Sequence, residues 1–264
     1  MDLVANKIEK WNFTDQIQMR VITTIEEVDI ACRLVSKLIC EHNPMFSNGK
    51  LGIDAETLYR GYFSFADLII KDNISIIVQD VVTKQYVGAV LNIDFIHSVN
   101  KIQSFEDTDG KYRMEDFYLS NLNPDDNLRR RGLKFIKSQF YLFVYNQMQM
   151  FNQNALQKHS TVELIGGGVI KEYHIQGFQK QMLDLSSQYQ HEKYGYQYCV
   201  SVQINHISQH FTDKYWRSLL KIEFDCTNFM IDNEIIFEGV PFYNDRILYQ
   251  ASLFSMPLYN YPKL

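Results

Sequence analysis

Proline is scarce in this chain, with five residues in 264. No Pro-rich or Gly/Ser-rich stretch separates two halves and no segment repeats, so residues 1–264 read as one domain with its core at about 18–256. Cysteine is as thin. Cys32, Cys40, Cys199 and Cys226 form no CxxC pair, and no histidine beside them completes a zinc pattern. That argues against a disulfide framework or a metal site and leaves reduced core thiols, as expected inside a cell. There is no run of about 18 apolar residues, so no transmembrane segment is expected. The first ten residues carry Asp2 and Glu9 and lack the apolar core of a secretory signal. A cytoplasmic or mitochondrial location is the expectation. Positive charge is also short: 26 Lys and Arg against 31 Asp and Glu give a net −5, which argues against a surface that releases counterions from nucleic acid. The one dense basic run, Arg129-Arg130-Arg131, follows Asp125 and Asp126 and reads as a solvated face with local ion pairs.

What the chain has in quantity is apolar and aromatic side chains. Hydrophobic residues make up 46%, with 18 Phe and 17 Tyr, enough for a sizeable core. Hydrophobic periodicity places a strand at 18–24 and a helix at 26–42 that stops before Asn43-Pro44. A second helix at 55–71 is capped by Asp54 and ended by Asn73. A hairpin follows, 74–82 and 86–95, then a polar, turn-like stretch at 96–127 and a long helix at 133–156. The remainder alternates: strand 161–171, helix 176–193 closed by Gly195, strand 196–204, short helix 208–215, and strands 218–225 and 247–255. Hairpins flanking a central βα unit predict an α/β fold with a mixed, twisted sheet.

Chemistry concentrates where the strand at 161–171 runs through Gly168, Val169 and Tyr173-His174-Ile175-Gln176-Gly177-Phe178-Gln179 into a helix. A strand–turn–helix junction presents free backbone N–H groups to a pyrophosphate, and a glycine lets the backbone approach it. A tight βα connection has the same appearance. The Gly166-Gly167-Gly168 run inside a strand marks a bulge or a close backbone approach.

This stretch resembles the acetyl-CoA motif of the GNAT N-acetyltransferase superfamily. Val169 matches the strand-end valine, Tyr173 the aromatic before the motif, Gly177 its central glycine, and Met182-Leu183 the aliphatic pair beyond. His174 stands at the Arg/Gln position, Ile175 at a frequent glycine, and Gln179 at the second required Gly/Ala. Asn43-Pro44-Met45 with Phe46 resembles the Glu-Pro-Leu signature of the arylalkylamine branch, and Leu51-Gly52-Ile53 its leucine-rich turn. Residues 205–211 resemble that branch's active-site helix start, and Phe237 with 246–254 its closing segment.

The resemblance implies a GNAT-like fold with a helical insertion. It places acetyl-CoA along Gly168 and Val169, with the pyrophosphate on the N–H groups of Gln176 to Gln179 and His174 beside it. It also implies a small amine as acceptor and places the proton-handling groups. The general base falls at Asn43, whose amide has no usable basicity. Ser208 matches a serine of the active-site helix, where a helix-capping serine looks the same. The tyrosine acid falls at Thr212, with Tyr215 one turn away. Losses at Asn43, Ile175, Gln179 and Thr212 together predict a pseudoenzyme, an accessory subunit among other proteins, with either acetyl-CoA or no cofactor. The alternative is an active acetyl-CoA-dependent N-acetyltransferase. Gln179 is further expected to fill the turn itself, its amide oxygen accepting a free N–H where CoA would bind. The paired carboxylates Glu115-Asp116 and Asp125-Asp126 read as solvated, and His206 and His210, four residues apart without a HExxH glutamate, as surface histidines.

Overall fold

The computed structural model describes residues 10–12, 14–47, 50–103, 127–240, 246 and 248–258. The chain opens with strands β1 (Lys10–Asn12) and β2 (Ile17–Val21), then helices α1 (Ile25–His42), α2 (Pro44–Ser47), α3 (Ala55–Phe63) and α4 (Ala66–Asp72). The hairpin β3 (Ile76–Asp80) and β4 (Tyr86–Asp94) leads into α5 (Phe95–Gln103). After the insertion come α6 (Leu128–Phe151), β5 (Thr161–Val169), α7 (Phe178–Tyr194), β6 (Tyr198–Gln203) and α8 (His206–Tyr215). Strand β7 (Ser218–Asp225), the small hairpin β8 (Met230–Ile231) and β9 (Glu234–Ile235), and β10 (Leu248–Ser255) close the fold.

Eight strands form one sheet in the order β1-β2-β3-β4-β5-β6-β10-β7. Every neighbouring pair is antiparallel except β5 and β6, which run parallel. This is the mixed α/β sheet that the order of elements implied.

Local chemistry explains the main elements. Thr24 caps α1 by accepting the Glu27 N–H, and Glu27 reaches back to accept the Thr23 N–H at 2.8 Å. Helix α1 then lays Val28, Ala31, Cys32, Val35 and Leu38 on the sheet, each such side chain worth about 1–3 kcal/mol of burial. Together with α3 and α4 it covers Ile77, Ala89, Leu91 and Ile93 of β3 and β4. Further along the same face, Met45, Phe46, Leu51 and Ile53 of the α1–α3 connection meet Val144 and Met148 of α6 and Val200, Ile222, Ala251 and Leu253 of the sheet. The opposite face is covered by α7 and the Trp216 region, with Phe178, Met182, Leu183 and Trp216 against Val162, Val169, Cys199 and Phe254.

Several boundaries differ from the sequence reading. The helix expected at 55–71 is two helices, because the Phe65 N–H turns back to the Tyr62 carbonyl and the Ser64 hydroxyl donates to the Gly61 carbonyl, closing α3 at Phe63. The start of the turn-like stretch is helical, since α5 follows β4 directly. Helix α6 begins at Leu128, five residues early, because Asn127 Oδ1 caps it by accepting the Arg130 N–H at 2.9 Å. Asn73 does end α4, in the left-handed region at φ 55°. The turn signals at Asp109-Gly110 and Asn123-Pro124 and the pairs Glu115-Asp116 and Asp125-Asp126 lie outside the described residues.

Candidate active-site cleft

A parallel pair in the middle of a sheet normally stays paired along its length. Here β5 and β6 pair only from Thr161–Tyr198 to Leu164–Ser201, and beyond that point they part. The gap is visible in exposure. Strand β5 has β4 on one side and β6 on the other, yet it is half-buried from Glu163 through Gly167, and Val202 of β6 is 40% exposed. The run of β5 that β6 leaves unpaired, Ile165 to Val169, therefore borders a wedge that is half-buried as far as Gly167.

A bulge sets the orientation of that run. Leu91 of β4 pairs with Gly166 and Asn92 with Leu164, leaving Ile165 as the extra residue. The insertion changes the phase of the alternation. Val162 and Leu164 face the α7 side, as does Val169, while Ile165 turns to the α1 side with Gly166 and Gly168. Gly166 is needed for close approach: a Cβ there would sit 3.0 Å from Val35 Cγ1 of α1 and 3.2 Å from Tyr62 Cζ. The triglycine run thus does mark a bulge and a tightly approached backbone.

Below the wedge the chain passes through a 3₁₀ turn, Lys171–Gln176, and enters α7 with Gly177 as its cap. Gly177 is held at φ 65°, a left-handed conformation that only glycine adopts without strain. The first bond of the helix is Gln181 N–H to the Gly177 carbonyl at 3.2 Å, so the N–H groups of the first turn lie outside the helical ladder. A Cβ at 177 would meet nothing within 4 Å among the described residues, so no close packing requires glycine there beyond its backbone conformation. Gln179 is half-buried on the first turn of α7, and the cap residue, Gly177, has no side chain to bond the turn. The Gln179 Cβ sits on a first turn that begins two residues later than expected, with the helix axis already set by Gly177. The backbone of His174, Ile175 and Gln176 lies in the 3₁₀ turn, not in the helix.

The mouth between α7 and α8 carries a cation, but a committed one. Lys180 pairs with Asp184 one turn on, and its ammonium also lies 5.7 Å from the centre of the Tyr215 ring. Burial pushes the Asp184 carboxyl above its ordinary pKa against the opposing pull of Lys180. Tyr215 packs on Phe211 with ring centres 5.0 Å apart, and the Lys214 ammonium lies 5.0 Å from the centre of the Tyr215 ring.

The other sequence-assigned positions are all in local use. Asn43 is 4% exposed, and its Oδ1 accepts the Met45 N–H at 3.0 Å. Its own N–H closes α1 on the Ile39 carbonyl, and its carbonyl accepts from Phe46 and Ser47. Ser208 is not the cap of α8. Asn205 is, accepting the Ser208 N–H at 2.9 Å while the Ser208 hydroxyl donates to the Asn205 carbonyl. Thr212 is buried and donates to the Gln209 carbonyl at 3.0 Å. Arg130 of the basic run donates through Nε to the Gly52 carbonyl at 3.0 Å, tying α6 to the α1–α3 connection. Among the described residues no group of three His, Cys, Asp or Glu is placed for a metal, and no helix is long and apolar enough to cross a membrane.

Two features of the wedge were missed in the sequence. Glu163 stands beside Val200 in the pair just before the last one that joins β5 and β6. Its charge, after burial, helps push the Cys199 thiol up to about 12, which leaves that thiol unreactive. The ring of Tyr62 lies over Gly166, three residues along, and burial pushes its hydroxyl up so that it stays protonated. The second missed feature is a buried polar seat under α8. Gln203 Nε2 donates to the Ser201 carbonyl at 3.1 Å, the Ser252 hydroxyl reaches Gln203 Oε1 at 3.5 Å, and Gln250 Nε2 reaches Asp213 Oδ1 at 3.4 Å. The signal for it was a polar residue at alternate positions in two strands otherwise rich in apolar residues.

No family model matches this chain, and no curated protein matches it in sequence. Solved structures do share its fold. Arylalkylamine N-acetyltransferase 2 from Aedes aegypti superposes with a TM-score of 0.57 at 17% identity, over 90% of this chain and 97% of that one. The polyamine N-acetyltransferase of Drosophila melanogaster, which forms N-acetylagmatine, gives 0.59 at 8% identity over 91% and 100%. The C-terminal condensation domain of Ebony, in complex with β-alanyl-dopamine, gives 0.57 at 11% over 91% and 99%. The chain therefore has the GNAT acetyltransferase fold, and the arylalkylamine N-acetyltransferases are among the proteins it resembles in structure.

Proposed function

We propose that this chain is a noncatalytic protein on an N-acetyltransferase scaffold, acting as an accessory subunit of a larger assembly. The observation that carries this reading is the use of Asn43. Transfer of an acetyl group to an amine needs a base for the ammonium proton. At the position where the resemblance puts that base, an amide oxygen caps α2 instead. Ser208 and Thr212 spend their hydroxyl protons on carbonyls of their own helix or its cap, and Tyr215 is packed at a tilt on Phe211 and flanked by two ammonium groups. Exposed apolar side chains supply surface for partners, among them Met150 at 80%, Met230 at 53% and Ile207 at 58%. The test is purification from the native source alongside an assay of the isolated chain with acetyl-CoA and a panel of amines. Co-purifying proteins and no free thiol released above background are expected. A free, active monomer overturns the reading.

One observation favours a second reading, acetyl-CoA-dependent transfer to a small amine. β6 leaves the end of β5 unpaired, the first turn of α7 has N–H groups outside the helical ladder, and a carboxylate, Glu163, stands where β5 and β6 begin to part. In this reading CoA lies along Gly168, Val169 and the turn to Gln179, and Glu163 takes the place that Asn43 vacates. Isothermal titration with acetyl-CoA separates binding from turnover. Heat of binding without product supports a retained cofactor cleft in a noncatalytic chain, and product formation supports the second reading.

A further inference from the structure

The two edges of the sheet are unlike. Of β1 at one end three residues are described, whereas β7 at the other end runs for eight, Ser218 to Asp225. Among the described residues β7 pairs with β10 on its inner side and with no strand on its outer side. Its burial is that of an open edge: Ser218, Lys221, Glu223, Phe224 and Asp225 are exposed, while six consecutive residues of β10 are buried. Phe224 is 42% exposed although it lies on the same sheet face as the half-buried Leu220 and the buried Ile222, opposite Tyr249.

From this edge we infer that the chain self-associates through β7, two copies pairing antiparallel about a two-fold axis at Ile222 to make one continuous sheet. The inference goes beyond the accessory-subunit reading and does not depend on whether the cleft turns over.

Charge selects the register. β7 alternates strictly, with Leu220, Ile222 and Phe224 on one face and Lys221, Glu223 and Asp225 on the other. In a two-fold antiparallel pair centred on Ile222, Lys221 of each copy faces Glu223 of the other, and Leu220 of each covers the exposed Phe224 of the other. Centring on Lys221 or on Glu223 sets that residue against its own copy, and centring on Phe224 sets Glu223 against Asp225. Like charges directly opposite are destabilising, and opposite charges and apolar pairs stabilise. Centring on Leu220 draws into the ladder the irregularity between Leu253 and Phe254, where β7 has an extra residue at Leu219. One register therefore satisfies both faces. Within one copy Lys221 pairs with Asp213 at 2.9 Å and with Glu223 at 3.2 Å, so Lys221 and Glu223 already lie on one face as complementary charges.

The experiment is sedimentation velocity of the full chain over a wide concentration range, with light scattering for mass. The wild type is expected to move from 31.2 kDa to twice that mass as concentration rises. Lys221→Glu and Glu223→Lys are each expected to stay at the monomer mass, and the double exchange to recover the dimer. Thermal melts establish that all three variants are folded. A wild type that is monomeric throughout, a single variant that still dimerises, or a folded double variant that does not, overturns the inference.

Discussion

Asn43 Oδ1 accepts the backbone N–H of Met45 at 3.0 Å, so one buried amide ends α1 and begins α2. A side chain so engaged is a structural device, and its removal reports on stability rather than on proton transfer. Asn43→Ala is expected to cost about 1 kcal/mol, the usual price of a lost cap. Differential scanning calorimetry should record the fall. Asn43→Asp keeps an acceptor at the cap and should lose much less. If both substitutions leave the melt unchanged, the cap is not contributing as described.

Glu163 discriminates the two functional readings. Glu163→Gln removes a charge from the half-buried stretch of β5 without changing its volume. In a noncatalytic chain, titration with acetyl-CoA and the melt should both change little. In an active one, turnover should fall by about 10²–10⁴-fold, the usual worth of a general base, with acetyl-CoA affinity retained. An equal loss of affinity and turnover would mean that Glu163 shapes the cleft and does no proton transfer.

Two glycines in the cleft predict different costs. At Gly166 an alanine meets Val35 at 3.0 Å and Tyr62 at 3.2 Å, contacts on buried or half-buried groups of two helices. Gly166→Ala is expected to destabilise by about 1–3 kcal/mol through overpacking. At Gly177 a Cβ meets nothing within 4 Å among the described residues, and the cost is confined to the left-handed backbone, about 1–2 kcal/mol. The distinguishing measurement is acetyl-CoA titration: Gly166→Ala should alter the wedge and any affinity it has, whereas Gly177→Ala alters the first turn of α7. Identical effects on stability and on titration would contradict this separation.

The cap of α3 sets a pH dependence. Asp54 accepts the Thr57 N–H at 2.7 Å, and its hydrogen bonds to Thr57 hold its carboxyl below the ordinary carboxylate range. A depressed folded pKa means that the folded state binds the proton less readily than the unfolded one. The contribution is therefore fully present above the unfolded pKa of about 4 and is lost as pH falls through the folded value. Asp54→Asn keeps a cap that does not titrate. Melts from pH 6 downward, a range of about three units spanning ordinary carboxyl pKa values, should show the wild type losing stability more steeply than this variant in the acid limb. Parallel curves would remove Asp54 from the account.

The cleft residues divide according to how far apart in the chain their partners lie. Periodicity and capping chemistry are local, so the α1 stripe of Val28, Ala31, Val35 and Leu38, the Asp54 cap, the left-handed stops at Asn73 and Gly195 and the turn at Gly177 were all legible in the sequence. So was the mixed sheet, because hairpins and a βα unit imply antiparallel and parallel neighbours. Ser64, which closes α3 early through the Gly61 carbonyl, was local too but was outweighed by an apolar period that continued through it into α4. The parting of β5 from β6 after Leu164 was not legible, since it depends on where Ser201 falls in register against a strand 37 positions away in sequence, and on the bulge at Ile165 against Leu91. Glu163 could not be picked from other carboxylates until that register placed it beside Val200 at the start of the gap. The same holds for Asn43: the sequence puts an amide where the resemblance expects a carboxylate, but only the fold decided that its oxygen would be buried and taken by the Met45 N–H. Side-chain identity sets what chemistry is lost, and burial with long-range pairing sets what that side chain does instead, because hydrogen-bond geometry across a packed interior is fixed by partners the local chain does not contain.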